Sequence, residues 1–261
     1  MTTKKQNKLK NLLTQWKRGV VYTQTFLSEL GYNHDLVKAY RRSGWIESIG
    51  TGAYKLSGDT VEWPGGLYAL QMQKKLPVHA GGRTALELKG YAHYVRPHRN
   101  QCFLFAPAGT ALPKWFLNYD WNADLVFKAT NMFPANMEAG FAEYPHKEIK
   151  IRISAPERAA MEMLYYVPSL QGFDEAYHIC EGLMTLRPEM VQELLEKCSS
   201  VKVKRLFLYL SEKAELPWFD MLDVKKIHLG SGKRVVVPDG VFDKKYQITV
   251  SKSQNAGNTI P

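Results

Sequence analysis

The sequence contains few of the residues that identify secreted, zinc-binding or membrane proteins. Its 261 residues include only three cysteines, Cys102, Cys180 and Cys198, and none belongs to a C-x-x-C pair. This odd set argues against a disulfide framework or a zinc ribbon and is typical of buried thiols in a reducing cytoplasm. The apolar runs, such as Cys102–Ala106, are far shorter than the roughly 20 residues that span a bilayer. No apolar segment follows the basic first ten residues, so we expect neither a signal peptide nor a membrane segment.

Motifs that carry catalysis are also scarce. Nucleotidyl transfer uses a Gly-Ser turn followed by a closely spaced carboxylate pair that binds metal ions. Gly230-Ser231 is present, but Asp239 and Asp243 lie four residues apart and form no D-x-D pair. No serine or cysteine lies in a nucleophile-elbow motif. We therefore expect no catalytic residues, no enzyme activity and no cofactor.

Two short patterns raise the question of a metal ion or an anion. His79, His93 and His98 are near each other in sequence, but they match neither H-E-x-x-H nor a Cys/His set, so we expect no metal site. The segment "HAGGRT" at His79–Thr84 leads into a predicted helix N-terminus, which together with Arg83 would suit an anion. No P-loop is completed there, and a tight strand-to-helix connection is the simpler interpretation.

Positive charge is concentrated near the amino terminus. The formal net charge is +10, and the first 58 residues, with ten basic and three acidic residues, carry +7 of it. Such an excess favours an acidic partner, such as nucleic acid or an anionic membrane surface.

This basic segment has the helix order of a helix-turn-helix. Apolar residues at helical spacing predict a first helix over Lys4–Trp16. Thr23 is a predicted N-cap for a second helix that ends at Gly31. Asn33 is a predicted N-cap for a third helix that begins at His34.

A predicted hairpin follows the third helix. The extended segments "WIESI" and "AYKL" flank Gly50-Thr51-Gly52, where glycines suit the positive φ angles of a tight turn. We expect Trp45 to complete the core of this module. Three helices followed by a hairpin predict a winged helix-turn-helix.

The third helix carries the residues that we expect to contact DNA. Its basic face lies opposite an apolar stripe, and such a helix enters the major groove, where arginine and lysine reach guanine O6 and N7. Neighbouring cations would contact phosphates. A basic face used for protein contacts is the alternative. The predicted DNA-binding residues are Lys17, Arg18, Thr23, Asn33, His34, Lys38, Arg41, Arg42, Thr51 and Lys55.

The remaining sequence predicts a larger mixed α/β domain without regular βαβ alternation. The stretch "SGDTVEWPGG" at 57–66 has the composition of a linker or domain junction. Ser154 and Glu157 form a capping-box pattern at the start of a predicted helix. The predicted fold class is thus α+β, with a winged helix-turn-helix DNA-binding domain at residues 1–58, a larger mixed α/β domain at 59–250 and a flexible tail at 251–261.

One pattern would suit a nuclease. Glu148 and Lys150 lie on a predicted strand with Asp120 or Asp124 upstream, and such a set near a magnesium ion could activate water. However, E-x-K is common on an alternating strand whose polar side chains simply face solvent, and we prefer that interpretation.

Three segments together resemble a known family. They are "FLSELGYNHDLVKAYRRSGWIESIGTGAYKL" at Phe26–Leu56, "GLYALQ" at Gly66–Gln71 and "VHAGGRTALELKGYAHYV" at Val78–Val95. They resemble the AbiEi-like antitoxins of bacterial type IV toxin–antitoxin systems. The resemblance implies a winged helix that represses its own operon by binding double-stranded DNA repeats in the promoter. It also implies a second domain that counteracts a nucleotidyltransferase-like toxin without forming a stable complex.

We therefore expect a bacterial cytoplasmic autorepressor and antitoxin. Two alternatives stay open at this point. One is a DNA-targeted nuclease-like enzyme that uses Glu148 and Lys150, and the other is a plain repressor whose second domain senses a ligand or partner.

Overall fold

The computed structural model describes residues 3–92 and 100–252, which divide into two compact units. Unit 1 contains described residues 3–79, 100–129 and 143–153, and unit 2 contains 80–92, 130–142 and 154–252. Within these ranges, no helix is long and apolar enough to cross a lipid bilayer. His93, His98 and most of the predicted tail (253–261) lie outside the described residues.

Unit 1 begins with the predicted winged helix-turn-helix. Thr23 and Asn33 cap the second and third helices through their side chains, as predicted. The three short strands form an antiparallel sheet in the order β1-β3-β2. In chain order the elements are α1 (Thr3–Gln15), β1 (Tyr22–Thr23), α2 (Gln24–Glu29), α3 (His34–Arg42), β2 (Ile46–Gly50) and β3 (Ala53–Leu56).

Most of a five-stranded sheet also belongs to unit 1. Its order is β6-β5-β4-β8-β7, and β8 places Ile149, Ile151 and Ile153 inward in the predicted alternation. The elements are α4 (Trp63–Tyr68), which continues into a π-helical turn at Ala69–Gln73, β4 (His79–Ala80), β5 (Gln101–Pro107), α6 (Lys114–Asn118), β6 (Asp124–Thr130), β7 (Phe141–His146) and β8 (Ile149–Ser154).

Unit 2 is mainly helical, with a small sheet of order β10-β11-β9. Helix α7 is buried along almost its whole length, which explains its many apolar residues. The elements are α5 (Gly82–Leu88), α7 (Pro156–Tyr165), α8 (Phe173–Glu181), α9 (Pro188–Lys197), α10 (Val201–Lys213), β9 (Arg234–Val235), β10 (Val241–Asp243) and β11 (Ile248–Val250).

The predicted linker is folded. Residues Trp63–Tyr68 form α4, and its two glycines are buried. Neighbouring groups leave no room for a side chain at either position. A Cβ atom at Gly65 would lie 1.8 Å from the carbonyl oxygen of Gly19, and one at Gly66 would lie 2.4 Å from the Trp121 ring. The Gly and Pro content therefore reflects close packing and not a flexible connection.

The predicted capping box is also wrong. Helix α7 begins at Pro156 after Ala155, which makes no side-chain cap. The Ser154 hydroxyl instead donates to Glu162 over 2.7 Å. Glu157 accepts hydrogen bonds from Arg187, so both side chains serve tertiary contacts.

Trp45 does not complete the core as expected. Its side chain is 45% exposed and lines a shallow apolar groove with Leu9 and Leu13 of α1. The core of the module is instead closed by Trp16, Val37 and Tyr40, which are buried.

Candidate nucleic-acid interface

The exposed face of α3 is the centre of the predicted interface. Asn33 starts the helix by accepting a hydrogen bond from the Leu36 N–H over 3.0 Å. Val37 and Tyr40 anchor the opposite face, each about fully buried at 1% exposure. The other face of α3 is therefore exposed to solvent. Its exposed side chains are His34, Asp35, Lys38, Arg41 and Arg42.

No residue that the structure describes neutralises the cations on this face. Lys38, Arg41 and Arg42 form no ion pair with any residue in the described ranges. Lys38 and Arg42 lie one helical turn apart and therefore project from the same stripe of the helix. Unpaired arginine and lysine side chains of this kind suit guanine edges or phosphate oxygens.

The turn before α3 fixes its orientation against α1. Gly31 has φ +86° and ends α2, as expected for a C-terminal glycine. Tyr32 is buried and its hydroxyl donates to the Lys8 carbonyl over 3.2 Å. The Lys8 ammonium in turn donates to the Gly31 carbonyl over 3.4 Å. These reciprocal contacts hold the turn of the helix-turn-helix on α1.

The wing is held by a residue distant in sequence. Gly50 and Gly52 have positive φ angles of +156° and +71°, as predicted for the tight turn. A Cβ atom at Gly50 would also lie 2.7 Å from the Cβ atom of Trp115 in α6. Gly50 therefore permits a close packing contact in addition to the turn, and Thr51 is exposed at the tip.

Lys55 is engaged inside the wing. Its ammonium forms an ion pair with Glu47 over 2.8 Å and donates to the Asp59 carbonyl over 2.8 Å. The hydrogen bond from Lys55 lowers the pKa of Glu47. With its side chain only 15% exposed, Lys55 acts as a support for the hairpin.

The remaining predicted contacts divide by exposure. Arg18 is exposed, whereas Lys17 is half-buried with its ammonium 5.4 Å from the Tyr68 ring centroid. Thr23 is only 3% exposed, and its hydroxyl caps α2 through the Phe26 N–H. The structure thus places Thr23 in the interior, with its hydroxyl engaged in capping α2.

Glu148 and Lys150 of the nuclease interpretation lie in an exposed hairpin. Glu148 is in the turn between β7 and β8. Lys150 pairs with Glu143 over 3.0 Å, and both side chains are about two-thirds exposed, at 68% and 70%. Among the described residues, no group of three or more His, Cys, Asp or Glu side chains could hold a metal ion. His79 is buried and stacks on Phe105, with ring centroids 6.2 Å apart.

The start of α5 is occupied by a carboxylate of the chain itself. The Gly82 N–H donates to Glu162 over 3.0 Å, and Glu162 also accepts from Arg158 over 3.0 Å. Arg83 is buried and pairs with Glu87 and Glu175. The "HAGGRT" segment is therefore a strand-to-helix connection within an internal ion-pair network.

Two supporting residues have no local sequence signal. Gln73 is buried in the π-helical turn and hydrogen-bonds the backbone of β1 and of the residue before it. Its side-chain oxygen accepts from the Thr23 N–H over 2.8 Å, and its side-chain amide donates to the Val21 carbonyl over 2.7 Å. Trp115 supports the wing from α6, an element that sequence patterns did not predict. Only the tertiary structure brings these side chains to the winged helix.

The fold and the basic helix define a winged helix-turn-helix protein with an additional mixed α/β domain. Residues 5–97 match the family model "Transcriptional regulator, AbiEi antitoxin N-terminal domain", and residues 99–251 match "Transcriptional regulator, AbiEi antitoxin, Type IV TA system". The chain therefore belongs to the AbiEi family of transcriptional regulator antitoxins of type IV toxin–antitoxin systems, which confirms the resemblance.

Two further comparisons concern solved structures and curated sequences. The chain is similar to the crystal structure of the RV2827C protein from Mycobacterium tuberculosis, with a TM-score of 0.64, 17% sequence identity, and coverage of 95% of this chain and 91% of that chain. At this identity the similarity shows the fold alone. A search of curated protein sequences finds no significant match.

Proposed function

We propose that the protein represses its own promoter by placing α3 in the major groove of operator repeats. This proposal rests on the exposed face of α3, where Lys38, Arg41 and Arg42 have no ion-pair partner in the described part of the chain. Desolvating such cations against protein would be costly, whereas DNA supplies both phosphates and guanine acceptors.

Roles within the interface follow from position on the helix. Residues in the first turns of a recognition helix usually reach base edges, so His34 and Lys38 are proposed to read bases. Arg42 shares the stripe of Lys38 and is proposed to add a bidentate guanine contact. Arg41, Lys17, Arg18 and the wing tip at Thr51 are proposed to contact the backbone. Asn33 adds to the interface while it caps α3.

We further propose that residues 59–250 carry the antitoxin activity. The family description supports an antitoxin role for the chain. The proposed target of this activity is a nucleotidyltransferase-like toxin whose gene neighbours that of the protein, and both proteins are proposed to be in the bacterial cytoplasm. The missing D-x-D pair supports a chain without catalysis. The proposed neutralisation requires no stable complex between the two proteins.

The proposed boundary at residue 58 describes function and not an independent fold. Residues 59–79 belong to the same compact unit as the winged helix, and Gly19 donates to Asp59 over 2.7 Å. Experiments on DNA binding therefore need the full chain and not residues 1–58 alone.

The proposal is tested on the DNA upstream of the protein's own gene. We expect the purified full-length chain to protect repeated sequences in footprinting, and to lower transcription from that promoter. Co-expression of the protein with the neighbouring open reading frame should relieve the growth arrest that this reading frame causes when it is expressed alone. Protection spread evenly along the fragment, with no preference over unrelated DNA, would contradict operator reading.

A further inference from the structure

The loop at residues 229–234 of unit 2 is organised by one buried guanidinium. Arg205 of α10 is 2% exposed. Its guanidinium donates four hydrogen bonds, each to a backbone carbonyl. The acceptors are the carbonyls of Leu229 (2.8 Å), Gly232 (2.6 Å), Gln247 (3.1 Å) and Gly230 (3.1 Å). Because three of these belong to the loop, its carbonyl groups are held inward and its path is fixed.

The N–H groups of the same loop are left for an external acceptor. The N–H groups of Gly230, Ser231, Gly232 and Lys233 have no hydrogen-bond partner among the residues in the described ranges. The φ angle is +65° at Gly230 and +73° at Gly232, and it is not positive at Ser231. Alternation of positive with ordinary φ angles is a feature of the anion-binding backbone arrangement called a nest, in which successive N–H groups point toward a common side.

Both glycines are needed for this backbone path. A Cβ atom at Gly230 would lie 2.7 Å from a methyl carbon of Val201, at the start of the helix that carries Arg205. Gly232 has a φ angle that side chains rarely adopt. The loop therefore rests on α10 at Val201 and is fastened one turn later by Arg205.

Two exposed cations stand at the end of the loop. The Arg234 guanidinium lies 3.8 Å from the position that a Cβ atom would take at Gly232. Lys233 is exposed beside it, with its ammonium 5.0 Å from the Phe242 ring centroid. Neither forms an ion pair with a residue in the part of the chain that the structure describes.

We propose that Gly230–Arg234 is a phosphate-binding site. Phosphate oxygens would accept from the N–H groups of Gly230, Ser231 and Gly232, and Lys233 and Arg234 would neutralise the charge. Arg205 is a positioning residue that holds the loop without touching the ligand. The phosphate belongs either to a free anion or to a polynucleotide backbone. This site is separate from α3 and does not depend on the proposed function.

The test follows the loop amides in the full-length protein labelled with ¹⁵N-glycine. Two probes are titrated separately, inorganic phosphate and a short oligothymidylate. We expect the Gly230 and Gly232 amide resonances to shift and saturate with at least one probe, and the probe that saturates them at lower concentration identifies the source. Two variants accompany the titration. Lys233→Ala/Arg234→Ala should weaken the apparent affinity at least tenfold, whereas Lys197→Ala/Lys244→Ala, which removes two exposed cations elsewhere in unit 2, should leave it unchanged.

Either of two results would overturn the site. One is that the Gly230 and Gly232 amide resonances show no saturable shift with either inorganic phosphate or oligothymidylate. The other is an equal loss of affinity in the two double variants, since that would reduce the effect to net charge. All the substituted side chains are exposed, so the amide spectrum of each variant also verifies its fold.

Discussion

Trp115 stands so close to the wing that its Cβ atom would be 2.7 Å from a Cβ atom at Gly50. Gly50 also has φ +156°, which favours glycine. The contact joins the tip of the winged helix to α6. The position of the wing therefore depends on a segment well beyond the predicted boundary at residue 58.

This contact predicts a specific cost for a methyl group at residue 50. We expect Gly50→Ala to lower the free energy of unfolding by about 2–4 kcal/mol, because overpacking adds to backbone strain. Gly44→Ala is the matched control, since Gly44 has φ +72° but open space around it, and should cost only about 1 kcal/mol. Urea denaturation measures both. Equal losses would show that the Trp115 contact contributes nothing.

Salt dependence should separate phosphate contacts from base contacts. We expect Arg18→Ala to weaken binding to all duplexes and to reduce the slope of log K against log salt by about 1. Arg42→Ala should instead lower the preference for the operator by about 1–3 kcal/mol. Fluorescence anisotropy at several salt concentrations, with operator and scrambled duplexes, provides both quantities. If Arg42→Ala weakens the two duplexes equally, Arg42 is a phosphate contact.

The sequence predicted the winged helix well because its signals are local. The caps at Thr23 and Asn33 and the glycines at 50 and 52 each determine structure within a few residues, and the structure confirms them. The basic face of α3 followed from helical periodicity alone. Local patterns failed where a residue serves a distant partner. Ser154 and Glu157 form the letters of a capping box, yet their side chains bind Glu162 and Arg187.

Composition misled at residues 57–66 for the same reason, and tertiary contacts also involve two of the predicted DNA contacts. Glycine and proline at 57–66 are typical of a linker, but here they permit α4 to approach Gly19 and Trp121. Thr23 is a predicted DNA contact, but in the structure its hydroxyl is buried and caps α2. Lys55 counts as a cation in the sequence, but Glu47 neutralises it in the structure.

The Glu157–Arg187 pair predicts a pH-dependent stability. Burial alone would raise the pKa of Glu157, but hydrogen bonds from Arg187 outweigh it and lower the pKa. A lowered pKa stabilises the fold above the unfolded value of about 4.3 and loses that contribution as the pH falls through the folded pKa.

Arg187→Met should reveal this contribution. It leaves a carboxylate that is 3% exposed without its guanidinium partner, although the backbone N–H of residue 187 still donates to it. We expect a loss of about 1–3 kcal/mol at pH 7, discounted because the Arg187 side chain is largely exposed. The difference from the unsubstituted protein should shrink as the pH falls through the lowered pKa of Glu157, because the carboxylate is then protonated in both proteins. Urea unfolding followed by far-ultraviolet ellipticity measures it, with Lys197→Met as control. A difference independent of pH would exclude the ion pair as the cause.

The proposed division of labour predicts that DNA binding and neutralisation separate. We expect Lys38→Ala/Arg41→Ala/Arg42→Ala to abolish promoter repression while it still relieves growth arrest by the neighbouring toxin, when both are expressed from independent promoters. The substituted side chains are exposed, so folding should be unaffected. Loss of relief at unchanged protein level would mean that neutralisation requires α3.

The central claim is that α3 reads the protein's own promoter, and the ratio of affinities for promoter and scrambled duplexes tests it most directly. At one fixed salt concentration, we expect the full-length protein to prefer the promoter by at least about 1,000-fold. Lys38→Ala/Arg42→Ala should lower this ratio at least tenfold, and Lys74→Ala/Lys75→Ala, which removes two exposed lysines elsewhere in unit 1, should preserve it. The same ratio in all three proteins would contradict the assignment of α3 as the recognition helix.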